Sequence, residues 1–277
     1  MNKVMEFQGH SKPIVKFILS SDFIFSLAQD GEFIIFNIKT AAIIKRKKFD
    51  CDFDIMVHPT TYINKLIFAG GNRLELWNII DDSKVYSFQN ILADKDKSIT
   101  ITAIVQSPVI HTVAIGYSNG DIQIANLQTD QVLFTFKHAE GSIRSLSFSS
   151  DSAMGVSILA SVSGEGQSVT LWDLNKQKIY SIIQVPHNSR AISNIQFMHN
   201  EPILITSSDE DNSLKMWFFE KGSTQPRILK ERCGHALPPH KIRFYGGKDD
   251  PVNQGARNII SCAPDGSLRD ISLLNEF

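Results

Sequence analysis

The side chains able to do bond chemistry are few in this chain, and their spacing suits none of the common reactions. Gly164-Glu165-Gly166 carries the flanking glycines of a strained nucleophile turn but has no serine between them, so no acyl-transfer nucleophile is presented. The eight histidines never stand four apart, the spacing that puts two imidazoles on one helix face for zinc. Cys51, Cys233 and Cys262 form no CxxC pair; Cys233 and Cys262, flanking the last repeat, read as inert buried thiols. Asp81-Asp82 and Asp249-Asp250 are adjacent carboxylates in segments that read as turns, hence solvated acids rather than a proton-transfer dyad. Neither a phosphate-cradling glycine loop nor a dinucleotide fingerprint occurs. No catalytic residue, metal site or cofactor is expected.

Two charged stretches stand above the background. Lys45-Arg46-Lys47-Lys48 is a compact basic run at the end of a β-like segment. Lysines there guard an exposed sheet edge against unwanted pairing; the sharper alternative is contact with RNA phosphates or an acidic partner. The Asp81–Lys84 turn and Ala93-Asp94-Lys95-Asp96-Lys97-Ser98 mix both signs and read as solvated loops or as docking loops for a neighbouring subunit.

Such residues need a frame, and composition bounds it. The chain has 277 residues, 42% hydrophobic and 21% charged, with a net charge of -1, which excludes global disorder and a dedicated electrostatic binder of bare nucleic acid. An odd cysteine number fits a reducing compartment. No apolar run approaches membrane-spanning length, and the opening Met1–Phe7 has no signal-peptide core, so a soluble intracellular protein is expected.

Six segments share a β-rich run ending in a polar or small residue. They close at Asn37, Asn78, Asn126, Asp173, Phe218 and Ser272, at intervals of about 40 to 55 residues. That is the period of a four-stranded propeller blade. The last interval is lengthened by a Gly-, Asp-, Pro- and Asn-containing insertion from Gly246 to Gly255. Alternation over Ile143–Phe148 marks a strand with two different faces, while Ile158–Ser163 is small or apolar throughout, as a strand buried on both faces must be. Asp30-Gly31, Asn119-Gly120 and Asp265-Gly266 are hairpin turns. The reading is an all-β propeller of six four-stranded repeats, covering approximately 9–49, 50–90, 98–137, 138–184, 187–230 and 234–277 within a single domain.

The repeats resemble the WD-repeat family. Trp172-Asp173 is its eponymous dipeptide, Trp77-Asn78 and Trp217-Phe218 are partial versions, and Gly9-His10 and Gly234-His235 match the pair that opens a repeat. His138 and His187 sit at equivalent points without the glycine. The resemblance implies structural pairs of this histidine with a turn aspartate: His10 with Asp30, His187 with Asp211, His235 with Asp265. Trp77, Trp172 and Trp217 would extend the networks. Gly71, Asn119 and Gly166 stand where three further aspartates would be, so those blades are expected to rely on packing alone. Phenylalanine, 18 residues mostly within strands, is expected to replace missing tryptophans between blades.

A closer resemblance covers residues 58 to 269. His58–Leu66, Asp211–Lys215, Gly234-His235 with Pro238-Pro239, and Asp265–Arg269 follow the order of the first propeller of the tandem-propeller WD-repeat subunit of UTP-B. UTP-B is a subcomplex of the small-subunit processome. The resemblance implies a non-catalytic nucleolar scaffold supporting pre-ribosomal RNA processing. Its partners would be other UTP-B subunits and processome proteins, and pre-ribosomal RNA with a box C/D snoRNA, touched directly or through other proteins; no membrane is involved. It also implies that the chain is a fragment lacking the family's second propeller and helical C-terminal region. An incomplete seven-bladed ring is then expected, the alternative being closure by a strand over Lys3–Gln8 against Leu268–Leu273. A peptide-reading propeller, such as a ubiquitin-ligase substrate receptor, is the second functional reading.

Overall fold

The structure is a computed structural model. It describes the chain apart from residues 1–4, 21, 60, 93–95, 139–140, 150–155, 165, 167, 185–191, 200, 209–211, 221–222, 224, 234, 238, 240, 247–256, 266 and 273–277. The described residues form strands and turns without a helix. Each sheet takes its strands from consecutive stretches of chain. The first holds β1 (Ile14–Ser20), β2 (Phe23–Ala28), β3 (Glu32–Asn37) and β4 (Ile43–Lys48). The second holds β5 (Ile55–Val57), β6 (Lys65–Gly70), β7 (Arg73–Asn78) and β8 (Ser83–Ser87); the third, β9 (Ile101–Gln106), β10 (Thr112–Tyr117), β11 (Asp121–Asn126) and β12 (Gln131–Lys137). The fourth is β13 (Ile143–Phe148), β14 (Ile158–Ser163), β15 (Ser168–Asp173) and β16 (Lys178–Gln184), and the fifth β17 (Ile192–Phe197), β18 (Ile203–Ser208), β19 (Ser213–Phe218) and β20 (Arg227–Cys233). The sixth has three strands among the described residues, β21 (Lys241–Gly246), β22 (Arg257–Cys262) and β23 (Leu268–Ser272).

Six sheets answer to the six repeats, and no seventh is found among the described residues. The strand expected over Lys3–Gln8 is not formed in its described part, Met5–Gln8. There Phe7 lies edge-on to Phe36, ring centroids 5.6 Å apart, so ring packing rather than a ladder holds the segment.

Burial follows position within a sheet. Every residue of β10, β14 and β15 is buried, whereas β4 and β8 are largely exposed. A central strand has sheets against both faces and must be small or apolar throughout; the last strand faces water on one side and tolerates charge. The pairing of the third strand with the fourth shifts register at one recurring place, Ile35/Phe36, Leu76/Trp77, Leu171/Trp172 and Met216/Trp217. Such a bulge raises the local twist and re-aims a side chain. Its recurrence marks Phe36 as the counterpart of the three tryptophans.

The chain divides into two compact units, residues 1–117 with 124–133 and residues 118–123 with 134–277. In the first, Phe33, Phe49, Phe53 and Phe68 pack ring on ring at 4.7–6.2 Å between centroids, with Trp77 edge-on to Phe49 at 5.1 Å. This bears out phenylalanine as packing between blades. In the second, Ile158, Val162, Leu171, Ile192, Leu204 and Trp217 belong to one buried cluster.

Candidate interaction surface

The middle of four of the six sheets repeats one polar position. In β2, β14, β18 and β22 a hydroxyl stands there, from Ser26, Ser161, Thr206 and Ser261, each nearly inaccessible to water. A tryptophan at the bulge position or the histidine of the repeat reaches it. Where tryptophan does, the indole N–H donates to the hydroxyl: Trp172 to Ser161 at 2.8 Å and Trp217 to Thr206 at 3.1 Å. In the first and sixth blades the histidine does: His10 Nε2 bonds Ser26 at 2.5 Å and His235 Nε2 bonds Ser261 at 2.7 Å. A buried N–H must find an acceptor, and one hydroxyl serves either donor. Blade two has Phe68 there, and Trp77 donates to Glu75 instead, at 2.9 Å.

The expected histidine–aspartate pairs are altered. His10 Nδ1 meets Glu32 at 3.0 Å rather than Asp30. Glu32, opening β3, takes the place expected of the turn residue. Asp30 accepts from Lys48 at 2.6 Å, which holds its carboxyl below the usual range. His235 Nδ1 bonds Ser267 at 2.9 Å. Asp265 in turn bonds Ser267 and reaches His235 electrostatically, so that pair is relayed through a hydroxyl. Burial first, then Arg269, lowers the His235 pKa, against the opposing pull of Asp265. His187 and Asp211 lie outside the described residues. In blade four His138, without its glycine, bonds Thr170 at 3.1 Å and lies 6.4 Å from the Trp172 ring.

Not every aspartate-less blade relies on packing alone. Asp121 pairs with Lys137 at 2.8 Å and accepts from the Asn119 amide at 2.8 Å. Lys84 reaches Glu75 at 3.4 Å. The family's second letter also has a local duty. Asn37, Asn78, Asn126 and Asp173 each accept from the backbone N–H groups two and three residues on. The residue four places on takes positive φ: Ala41, Asp82, Asp130 and Gln177, at 52–60°. The side chain closes an Asx turn that lets a non-glycine residue occupy the left-handed region. Phe218 cannot do this.

The basic run does not present free cations. Lys45 donates to the carbonyls of Ile79 and Ile80 at 3.0 and 2.9 Å. Arg46 bonds Glu32 at 2.9 Å and the Gly9 carbonyl at 3.0 Å. Lys47 pairs with Asp82 at 2.9 Å and sits over Trp77; Lys48 holds Asp30. The run lies on β4, the outer strand, and two of its four heads tie the first blade to the turn of the second.

Sequence reasoning missed Asp130, although Tyr86-x-x-Gln89 and the following turn hold its partners. It is 4% exposed and accepts from the backbone N–H groups of Gln89, Asn90 and Ile91 at 3.1–3.2 Å and from Tyr86 Oη at 2.9 Å. Burial pushes its pKa up, but these donors outweigh burial and leave it below the usual carboxylate range. A cleft of about 330 Å³ opens beside it, walled by Tyr62, Leu76, Tyr86, Phe88 and Leu127–Asp130. Asp94, Lys95 and Asp249-Asp250 lie outside the described residues. Cys233 is exposed and Cys262 half-buried, correcting the reading of both as buried; β20 is an outer strand and Cys233 ends it. Among the described residues no three His, Cys, Asp or Glu side chains gather for a metal, and no helix is long and apolar enough to cross a membrane.

Meandering four-stranded sheets, the bulge-placed tryptophans and the histidine–hydroxyl bonds define a WD-repeat β-propeller. The architecture matches a chain of the crystal structure of the mitotic checkpoint complex with a TM-score of 0.75, covering 96% of this chain and 76% of that one at 11% identity, which shows the fold alone. The chain belongs to the WDR36/Utp21 first beta-propeller family, whose model matches residues 1–220. It is 32% identical to WD repeat-containing protein 36 of Homo sapiens over 277 residues, 99% of this chain and 29% of that protein. It is 36% identical over 229 residues to the U3 small nucleolar RNA-associated protein 21 homolog of Schizosaccharomyces pombe, 82% of this chain and 23% of that protein. The Saccharomyces cerevisiae U3 small nucleolar RNA-associated protein 21 is 27% identical over 227 residues, 78% and 22%. The chain thus spans less than a third of these relatives.

Proposed function

We propose that the protein is a non-catalytic scaffold of the small-subunit processome, supporting pre-ribosomal RNA processing by holding protein partners on rigid blades. The observation that carries this is the match of 82% of the chain to a relative named for association with U3 small nucleolar RNA. The disposition of the polar side chains supports it: the described histidines of the repeat motif, the tryptophans and the basic run are engaged in bonds that hold strands and turns. The finer reading is membership of UTP-B, a nucleolar location, and RNA contact made chiefly through neighbouring proteins, because the cationic heads are already paired within the chain. A surface of this kind works by shape, with loops displayed on a stiff sheet frame.

Tagging the endogenous protein, then sequencing the RNA and identifying the proteins that co-purify, tests this. Enrichment of U3 snoRNA, pre-ribosomal RNA and other UTP-B subunits is expected. Recovery of a ubiquitin ligase with no ribosomal precursor would replace the scaffold reading with the peptide-reading one.

A further inference from the structure

Four turns of the second and third blades are laced together. Ile79 donates its N–H to the Asn64 carbonyl at 2.9 Å, and Leu127 to the His111 carbonyl at 2.8 Å. The Tyr62 and His111 rings meet edge-on at 5.5 Å, and Thr61 lies 3.4 Å from His111 Nδ1. Turn tips are ordinarily polar, yet these carry Ile63, Ile80, Val109 and Ile110, 59–81% exposed. A single exposed aliphatic residue needs no explanation, but several on linked turns mark a surface that another molecule covers.

Tyr62 joins this patch to the cleft described above, since its ring touches His111 on one side and lines the cleft on the other. The cleft wall carries one formal charge, that of Asp130. All four groups bonded to it are dipoles, and among the described residues no lysine, arginine or histidine pairs with it. Three of the four bonds fall on Oδ2 and one on Oδ1, and the residue is 4% exposed, so what it offers the cleft is its charge. An anion without a cation, beside tyrosine rings and an aliphatic rim, repels a phosphate backbone. It suits a planar cation that can stack and donate at once, which an arginine does better than a lysine.

We infer that this face of blades two and three docks an extended segment of a partner protein in which an arginine is flanked by aliphatic residues. The guanidinium enters the cleft toward the Asp130 carboxylate, and the flanking side chains cover Ile63, Val109 and Ile110. The inference rests on the scaffold reading and names the chemistry of one partner contact.

Two labelled peptides test it against the whole 277-residue chain by fluorescence anisotropy: Gly-Val-Ile-Arg-Ile-Val-Gly, and the same peptide with citrulline for arginine. Citrulline keeps the shape and loses the charge, so its peptide should bind at least about tenfold more weakly. Asp130→Asn should abolish that difference. The doubly substituted Ile63→Ser, Ile110→Ser protein alters only exposed side chains, so it keeps its melting temperature and should weaken both peptides alike. Equal binding of the two peptides, no binding of either, or binding indifferent to the isoleucine pair would overturn the proposal. Should the proposal fail while the tagged protein still recovers U3 snoRNA, the scaffold reading stands without this contact.

Discussion

Lys47 holds its ammonium 4.1 Å from the centroid of the Trp77 ring and 2.9 Å from the Asp82 carboxylate. A tryptophan at the bulge of the second blade thus receives a cation from the outer strand of the first. With its side chain only 17% exposed, Lys47 is a joint between the two blades.

Lys47→Gln should therefore lower stability by about 1 kcal/mol, the combined worth of a partly desolvated cation–π contact and a half-exposed ion pair. Urea unfolding measures this. Unchanged stability together with weakened RNA recovery would return the run to phosphate contact.

The acceptor hydroxyls carry a second prediction. Thr206→Val keeps the volume and removes the Trp217 acceptor; Ser161→Ala does the same for Trp172. Each should cost roughly 1–3 kcal/mol, because a buried N–H is left without a partner. Chemical denaturation followed by tryptophan fluorescence reads both.

At the first blade, Glu32→Ala should destabilise more than Asp30→Ala. Glu32 holds both His10 and Arg46, whereas Asp30 holds an exposed lysine. A loss of about 1–3 kcal/mol is expected for Glu32→Ala. The reverse order in thermal denaturation would restore the turn aspartate as the histidine's partner.

Asp173→Asn should be nearly neutral, since asparagine closes the same turn in three other blades. Asp173→Ala should cost about 1 kcal/mol through loss of the bonds to the N–H groups of Asn175 and Lys176. Thermal melts of the two variants decide it; equal loss in both would mean that the charge, not the turn, matters.

His235 sets a pH dependence. Its folded pKa lies below the ordinary 6.5, so the unfolded chain binds the proton more readily. Its contribution to stability is present above pH 6.5 and is lost as pH falls from there through the folded value. His235→Gln should flatten the stability profile in that window. Asp130, also lowered, from an ordinary 3.8, acts in the same sense at lower pH, its contribution fading as pH falls below 3.8.

The residues that repeat at blade spacing were legible because their signals are local. Alternation, turn dipeptides and the Trp-Asp pair each lie within a few adjacent residues, and the strands that they imply are formed. The partner of His10 was not legible in this way. Asp30 and Glu32 are both acids within reach along the sequence, and only folding brings Lys48 to the first and Arg46 with the ring to the second.

Asp130 was harder still. Nothing about a lone aspartate after Gln128-Thr129 signals burial; its role depends on three N–H groups some forty residues earlier in the chain being turned toward it. Likewise, nothing in four adjacent basic residues says that the neighbouring blade supplies Asp82 and two carbonyls to two of them.

By itself the sequence determined the all-β repeat, the tight turns and the apolar middle strands, since periodicity and backbone preference act over a few residues. Only the tertiary structure decided which polar groups are consumed in holding the blades. That choice depends on contacts between segments far apart in the chain, where distance and burial set whether a charge is satisfied or left open.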